Sequence, residues 1–286
     1  MSQKSAIHYY DDGDIILMVE DTSFCVHKKY LSLASRIFND MCATCSQSYE
    51  SQLPIINLSD DSATAFEELL SFLYPSKWVR ITWDNVGQFL QFADKYEIVN
   101  VLAASEDFLE QHFVENPLKS LVLADSFRFK NVYKESSKLV FNKLPSLKNS
   151  EEFKQLSIVT GFSLLSRYID YINGIGLLDP LELLEGFTHE FLCNRTAHEN
   201  DMIRSFTNLI KNEIKVCPAL SPSRTLKILM SCEITEGTKH CISNFEKLHL
   251  PGKLKSHFGE FEPMTNEKRK YGVGVFNFLF IELKDA

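Results

Sequence analysis

The chain has 286 residues, 44% hydrophobic and 24% charged, which excludes a disordered, collagen-like or disulfide-dense protein and predicts about two structural units. Its 22 Phe, 10 Tyr and 2 Trp each demand a large buried site, while only 11 Gly and 9 Pro favour packed helices over a turn-rich all-β fold. The net charge of -8, from 30 Lys+Arg against 38 Asp+Glu, argues against nonspecific phosphate binding as the main activity.

Seven Cys is an odd number, and only Cys42 and Cys45 are closely spaced, so reduced thiols are expected rather than a disulfide framework. Residues 1–10 lack the apolar core of a signal peptide, and the longest apolar stretches fall far short of the ~20 residues a membrane span needs. The expected location is cytoplasmic and/or nuclear, with Asn194-Arg195-Thr196 a chance sequon.

Ile15-Ile16-Leu17-Met18-Val19 is a continuous apolar run that predicts a strand covered on both faces, with Phe24-Cys25-Val26 as its hairpin partner. Tyr30, Leu31, Leu33, Ala34, Ile37, Phe38 and Met41 recur at helical spacing and predict one amphipathic helix ending near Cys42 to Cys45. A polar loop over 46–52 leads to a third short strand over 54–58. Asp60 and Asp61 can cap the next helix, whose buried stripe is Phe66, Leu69, Leu70 and Leu73, and Pro75 ends it.

This order resembles the BTB/POZ domain. The resemblance rests on Asp14-Ile15-Ile16-Leu17-Met18-Val19, on Phe24-Cys25-Val26-His27-Lys28-Lys29-Tyr30-Leu31, and on Ser35-Arg36-Ile37-Phe38-Asn39-Asp40-Met41. It continues through Ile56 to Asp60, Ala65-Phe66, Phe72-Leu73-Tyr74 and Phe92-Ala93-Asp94-Lys95-Tyr96, covering residues 12–113. It implies a helical cluster flanked by a small sheet, and a module that associates proteins and homodimerises. It further implies that Asp14 lies buried at the start of the first strand and meets Lys28 in a charged pocket of the dimer interface. The residues alone also allow Asp14 to cap the turn after Gly13 and Lys28 to be a solvated charge. His27 is expected to pack under the helix that follows, since no nucleophile lies near it in sequence.

In ubiquitin-ligase adaptors of this family, an apolar residue two before a Glu helps grip the cullin-3 scaffold. Aligned on Glu50, that position here is Ser48, with Tyr49 between. Either Tyr49 supplies the apolar contact in a shifted register, or cullin affinity is weak or absent.

Residues 90–101 recur, offset by 31, as residues 121–132; Ala93 matches Ala124, Ser105 matches Ser136, Phe108 matches Leu139 and Phe113 matches Leu144. Two helical patterns per copy predict stacked helix hairpins, with the two alanines where helices approach closely. The second copy is expected to continue the helices of the first, and residues 114–148 resemble the start of the BACK-like extension of BTB adaptors.

Beyond Ser150, Phe153, Leu156, Val159, Phe162, Leu164, Leu165, Tyr168, Ile169 and Ile172 predict a helix broken at Asn173-Gly174-Ile175-Gly176. Further helices are expected from Pro180 through Leu192, over 203–214 and over 224–230, and a strand over 276–281. Residues 149–286 are expected to form a mostly helical region, with no family motif picked out in their residues. By analogy with other BTB adaptors this region recruits a target.

Little here predicts chemistry. Cys42-xx-Cys45 supplies two of the four ligands a zinc site needs, and His189, Cys193 and His198 make a weak alternative. Gly174-Ile175-Gly176 and Gly272-Val273-Gly274 lack the third glycine of a dinucleotide loop. Lys268-Arg269-Lys270 is a short basic run, read as a solvated turn or an aid to nuclear import. The expectation is therefore an α+β, mostly helical, non-enzymatic adaptor without a cofactor. Its partners are a second copy of itself, a cullin-3 scaffold and a protein target held by the C-terminal half, with no role for nucleic acid or membrane.

Overall fold

The structure is a computed structural model, and it describes residues 3–45, 53–75, 79–178, 204, 207–208, 221–222, 224–225 and 279–283. The chain divides into two compact units, Met1–His112 and Phe113–Ala286.

In the first unit a four-stranded mixed sheet runs in the order β1, β3, β2, β4, built from β1 (Gln3–Tyr9), β2 (Ile15–Val19), β3 (Thr22–Val26) and β4 (Ile55–Leu58). β2 and β3 form the expected antiparallel hairpin, turned at Glu20, whose φ of 48° lies in the left-handed region. Only one face of β2 is fully covered: Ile15, Leu17 and Val19 are buried while Ile16 and Met18 are half-buried. The continuous apolar run had predicted cover on both faces.

β1 had no counterpart in the sequence pattern, because its inward residues are polar. Ser5 and His8 are buried, whereas Ala6 and Ile7 face out. Ser5 Oγ donates to Glu67 Oε1 at 2.5 Å, and His8 Nε2 lies 2.7 Å from Ser71 Oγ. Polar pairing with the helix behind it, not apolar alternation, holds this strand, which runs parallel to β3.

The single helix expected over 30–41 is two, α1 (Lys28–Ala34) and α2 (Arg36–Thr44). Ser35 separates them in extended conformation and caps α2, its Oγ accepting from the Phe38 amide at 3.0 Å and donating to the Tyr96 carbonyl. A serine that satisfies an orphan amide favours a new N-terminus over helix continuation. α3 (Ala63–Leu73), α4 (Val86–Lys95) and α5 (Val99–His112) complete the unit. Phe24, Phe38, Phe66, Phe92 and Tyr96 pack edge-on and stacked at its centre, with Phe38 and Tyr96 4.4 Å apart.

Asp61 does not cap α3. It is buried, with Oδ2 accepting from the Tyr96 hydroxyl and Oδ1 lying 2.8 Å from Lys95 Nζ. The α3 N-terminus is instead met by Glu20, whose Oε2 accepts from the Ala63 amide at 3.0 Å.

In the second unit α6 (Pro117–Phe127) and α7 (Lys130–Leu147) begin 31 residues after α4 and α5 respectively, the offset seen in the sequence. The two hairpins also share a turn. Glu97 and Arg128 both adopt positive φ, 51° and 66°, and the next amide returns to the helix, Ile98 to the Ala93 carbonyl and Phe129 to that of Ala124. Ala93 and Ala124 are buried, as are Ser105 and Ser136, whose hydroxyls bond back to the carbonyls of Val101 and Val132. A 3-10 turn (Phe153–Gln155) precedes α8 (Ile158–Leu177), which passes through Gly174 and Gly176 rather than breaking there. Gly174 is buried within that helix. Ser157 caps α8, and Asp125 receives hydrogen bonds from the Ser157 amide and the Thr160 hydroxyl, both at 2.7 Å. On the expected strand over 276–281, Leu279 to Ile281 are described and carry no regular structure. The helices expected over 180–192 and 203–214, and most of 224–230, fall largely outside the described residues.

Candidate functional site

The chemistry that the sequence singled out at the start of β2 lies where three elements meet. The turn from Tyr10 to Gly13 closes through the Gly13 amide on the Tyr10 carbonyl. Gly13 is required there, because a Cβ would stand 2.7 Å from Cys25 Sγ and 3.0 Å from its carbonyl carbon. This close approach sets Asp14 beside the end of β3, with its amide donating to the Val26 carbonyl.

From that position Asp14 Oδ1 accepts a hydrogen bond from the Lys28 amide at 2.7 Å. Lys28 is the first residue of α1, and His27 gives that helix no side-chain cap. Asp14 thus satisfies an orphan donor and places negative charge at the positive end of the helix. The structure brings the two residues together, but through backbone, and the Asp14 side of the contact is exposed in the single chain.

Beside it, Tyr74 at the end of α3 gathers the neighbouring rings. Its hydroxyl accepts from the His27 amide at 2.9 Å and lies 3.0 Å from His27 Nδ1, while His27 Nε2 stands 3.3 Å from Asp12 Oδ1. Tyr10 stacks on Tyr74 at 5.0 Å, and Tyr30 lies 4.8 Å away. Burial pushes the Tyr74 phenol well above its ordinary range, so it stays protonated. His27 is packed among aromatic rings at the base of α1. On the outer side of α1, Tyr30 and Leu33, three residues apart, are exposed apolar groups, Leu33 at 76%.

Ser48, Tyr49 and Glu50 lie outside the described residues, as do His189, Cys193 and His198. Cys42 and Cys45 are half-buried at the end of α2, and Cys45 Sγ approaches the Cys42 carbonyl at 3.1 Å. Burial raises the Cys42 thiol above its usual value, which lowers its reactivity. Among the described residues no three His, Cys, Asp or Glu side chains group to hold a metal, and no helix is long and apolar enough to cross a membrane. The arrangement offers anchoring and an apolar helix face. The Asp61, Lys95 and Tyr96 network was missed in the sequence because its members lie 34 and 35 residues apart and carry no motif.

The first unit is thus a small mixed sheet with helices packed on it. Residues 8–113 match the BTB/POZ domain family, and this part of the chain is a BTB/POZ domain. Among curated proteins, Kelch-like protein 25 of Mus musculus is 27% identical over 223 residues, 77% of this chain and 35% of that protein. BTB and MATH domain-containing protein 38 of Caenorhabditis elegans is 30% identical over 162 residues, 56% of this chain and 41% of that protein. Kelch-like protein 6 of Homo sapiens is 30% identical over 149 residues, 51% of this chain and 23% of that protein. The chain thus spans less than half the length of these relatives. The similarity to Kelch-like protein 25 is longer than the domain match, so it runs past the BTB/POZ domain.

Proposed function

We propose that this chain is a homodimeric BTB adaptor that bridges a cullin-3-type ubiquitin ligase to a protein target held by residues 149–286. The observation that carries the reading is the BTB/POZ domain at residues 8–113, with α1 anchored by Asp14 and presenting Tyr30 and Leu33 outward. Two exposed apolar side chains one turn apart suit a self-complementary face. The adaptor does no chemistry itself; dimerisation raises the effective concentration of a bivalent target. Kelch-like relatives support the adaptor class, and residues 114–148 serve as its BACK-like extension. The protein works in the cytoplasm, the nucleus or both.

Ser48 favours a second reading, a BTB scaffold that assembles nuclear or cytoskeletal complexes without a cullin, since a hydroxyl replaces the apolar contact that the family uses there. Co-purification with cullin-3 separates the two. A complex at micromolar concentrations that is lost on Tyr49→Ala supports the ligase adaptor. An intact dimer that leaves cullin-3 behind supports the scaffold.

A further inference from the structure

In the second unit, three consecutive residues, Phe280, Ile281 and Glu282, are met by Lys134, Ser137 and Lys138 of α7, more than 130 residues earlier in the chain. Leu279 and Ile281 are buried, and the Ile281 amide donates to Ser137 Oγ at 3.1 Å. Between them Phe280 lies under two ammonium groups, Lys134 Nζ at 4.3 Å and Lys138 Nζ at 5.6 Å from the ring centroid. Glu282 Oε1 then pairs with Lys134 Nζ at 3.2 Å. Lys134, Ser137 and Lys138 stand at i, i+3 and i+4, so they form one stripe of the helix.

The stripe is held by bonds within α7 itself. Ser137 Oγ donates to the Lys134 carbonyl at 2.7 Å, which leaves its lone pairs for an incoming amide, and Lys138 pairs with Glu135 at 2.8 Å. Ser137 and Lys138 therefore keep partners within the helix when the 279–282 segment leaves. Two buried apolar side chains, a ring under cations and a terminal ion pair make up the recognition of a short linear peptide.

We propose that the α7 face of Lys134, Ser137 and Lys138 is a docking site for a partner peptide of the pattern apolar, aromatic, apolar, acidic, and that the chain's own Leu279-Phe280-Ile281-Glu282 occupies it in cis. A partner peptide enters only by displacing that segment, whose tether gives it a high effective concentration. This inference does not depend on the ligase reading.

The test uses the full chain and a fluorescein-labelled peptide of residues 278–286. In a chain carrying Phe280→Ala and Ile281→Asp, which releases the segment, the peptide binds roughly tenfold or more tightly than to the parent. Lys134→Glu in that released chain weakens binding about fivefold, and a peptide with Glu282→Lys recovers it. Equal binding to parent and released chain overturns the proposal, as does binding to neither when circular dichroism shows both folded. A second measurement covers a released chain that fails to fold. Saturating unlabelled peptide added to the parent raises hydrogen exchange at the Ile281 amide while α7 stays protected. Unchanged exchange there means that the segment is fixed core, and overturns the proposal.

Discussion

Asp14 Oδ1 takes the Lys28 amide at 2.7 Å, so the two residues singled out as an interfacial charge pair already meet in one chain, at the N-terminus of α1. The bond uses the carboxylate of one and only the backbone of the other. Asp14→Ala therefore removes a helix cap and costs about 1 kcal/mol of stability, while Lys28→Ala leaves the bond in place and changes stability by no more than about 0.5 kcal/mol. Urea unfolding of both variants checks this. For the proposed dimer, Asp14→Lys and Lys28→Asp are each expected to weaken association, and the double swap to restore it in part, as read by light scattering.

Gly13 lies against Cys25 with no room for a methyl group. Gly13→Ala pushes the turn away from β3 and costs about 1–3 kcal/mol, in line with overpacked sites elsewhere. A drop in thermal midpoint with an unchanged circular dichroism spectrum is the expected outcome. An unchanged midpoint means that the backbone yields there.

Asp61 is buried against Lys95 and the Tyr96 hydroxyl. Asp61→Ala strands that hydroxyl in the core and costs about 1–3 kcal/mol, whereas Asp61→Asn keeps an acceptor and costs less. Denaturant titration ranks the two.

Burial raises the phenol pKa of Tyr74, Tyr96, Tyr133, Tyr168 and Tyr171 above the ordinary value. A folded-state pKa above the unfolded one means that the native state holds its protons more tightly. Stability is then full below the unfolded value of about 10 and is lost as pH rises beyond it. Alkaline melts are expected to fall steeply above that pH, and Tyr96→Phe to flatten the fall.

Glu97 and Arg128 sit at the same point of the two hairpins with positive φ. A side chain there costs roughly 1–2 kcal/mol against glycine when β-branched. Glu97→Gly and Arg128→Gly are expected to leave stability unchanged or raise it, while Glu97→Val and Arg128→Val lower it, by thermal denaturation.

These sites show which parts of the fold the sequence carries. Helices α4 to α7 were legible because apolar spacing and the 31-residue recurrence act locally, down to the matched serines 105 and 136. β1 was not, because Ser5 and His8 face inward and their partners Glu67 and Ser71 lie far along the chain. The break at Ser35 was hidden by an apolar pattern that continues across it in phase. Gly174 and Gly176 look like breakers in sequence, yet they lie within α8. At the candidate site, the nearness of Asp14 and Lys28 was legible only through resemblance. That the amide, not the ammonium, makes the contact needed the structure.

The most direct measurement is multi-angle light scattering of the full chain at micromolar concentration, alone and mixed with cullin-3. The account predicts a dimer that takes up one cullin-3 per chain. A monomeric chain contradicts the association role, and a dimer that elutes apart from cullin-3 contradicts the ligase bridge.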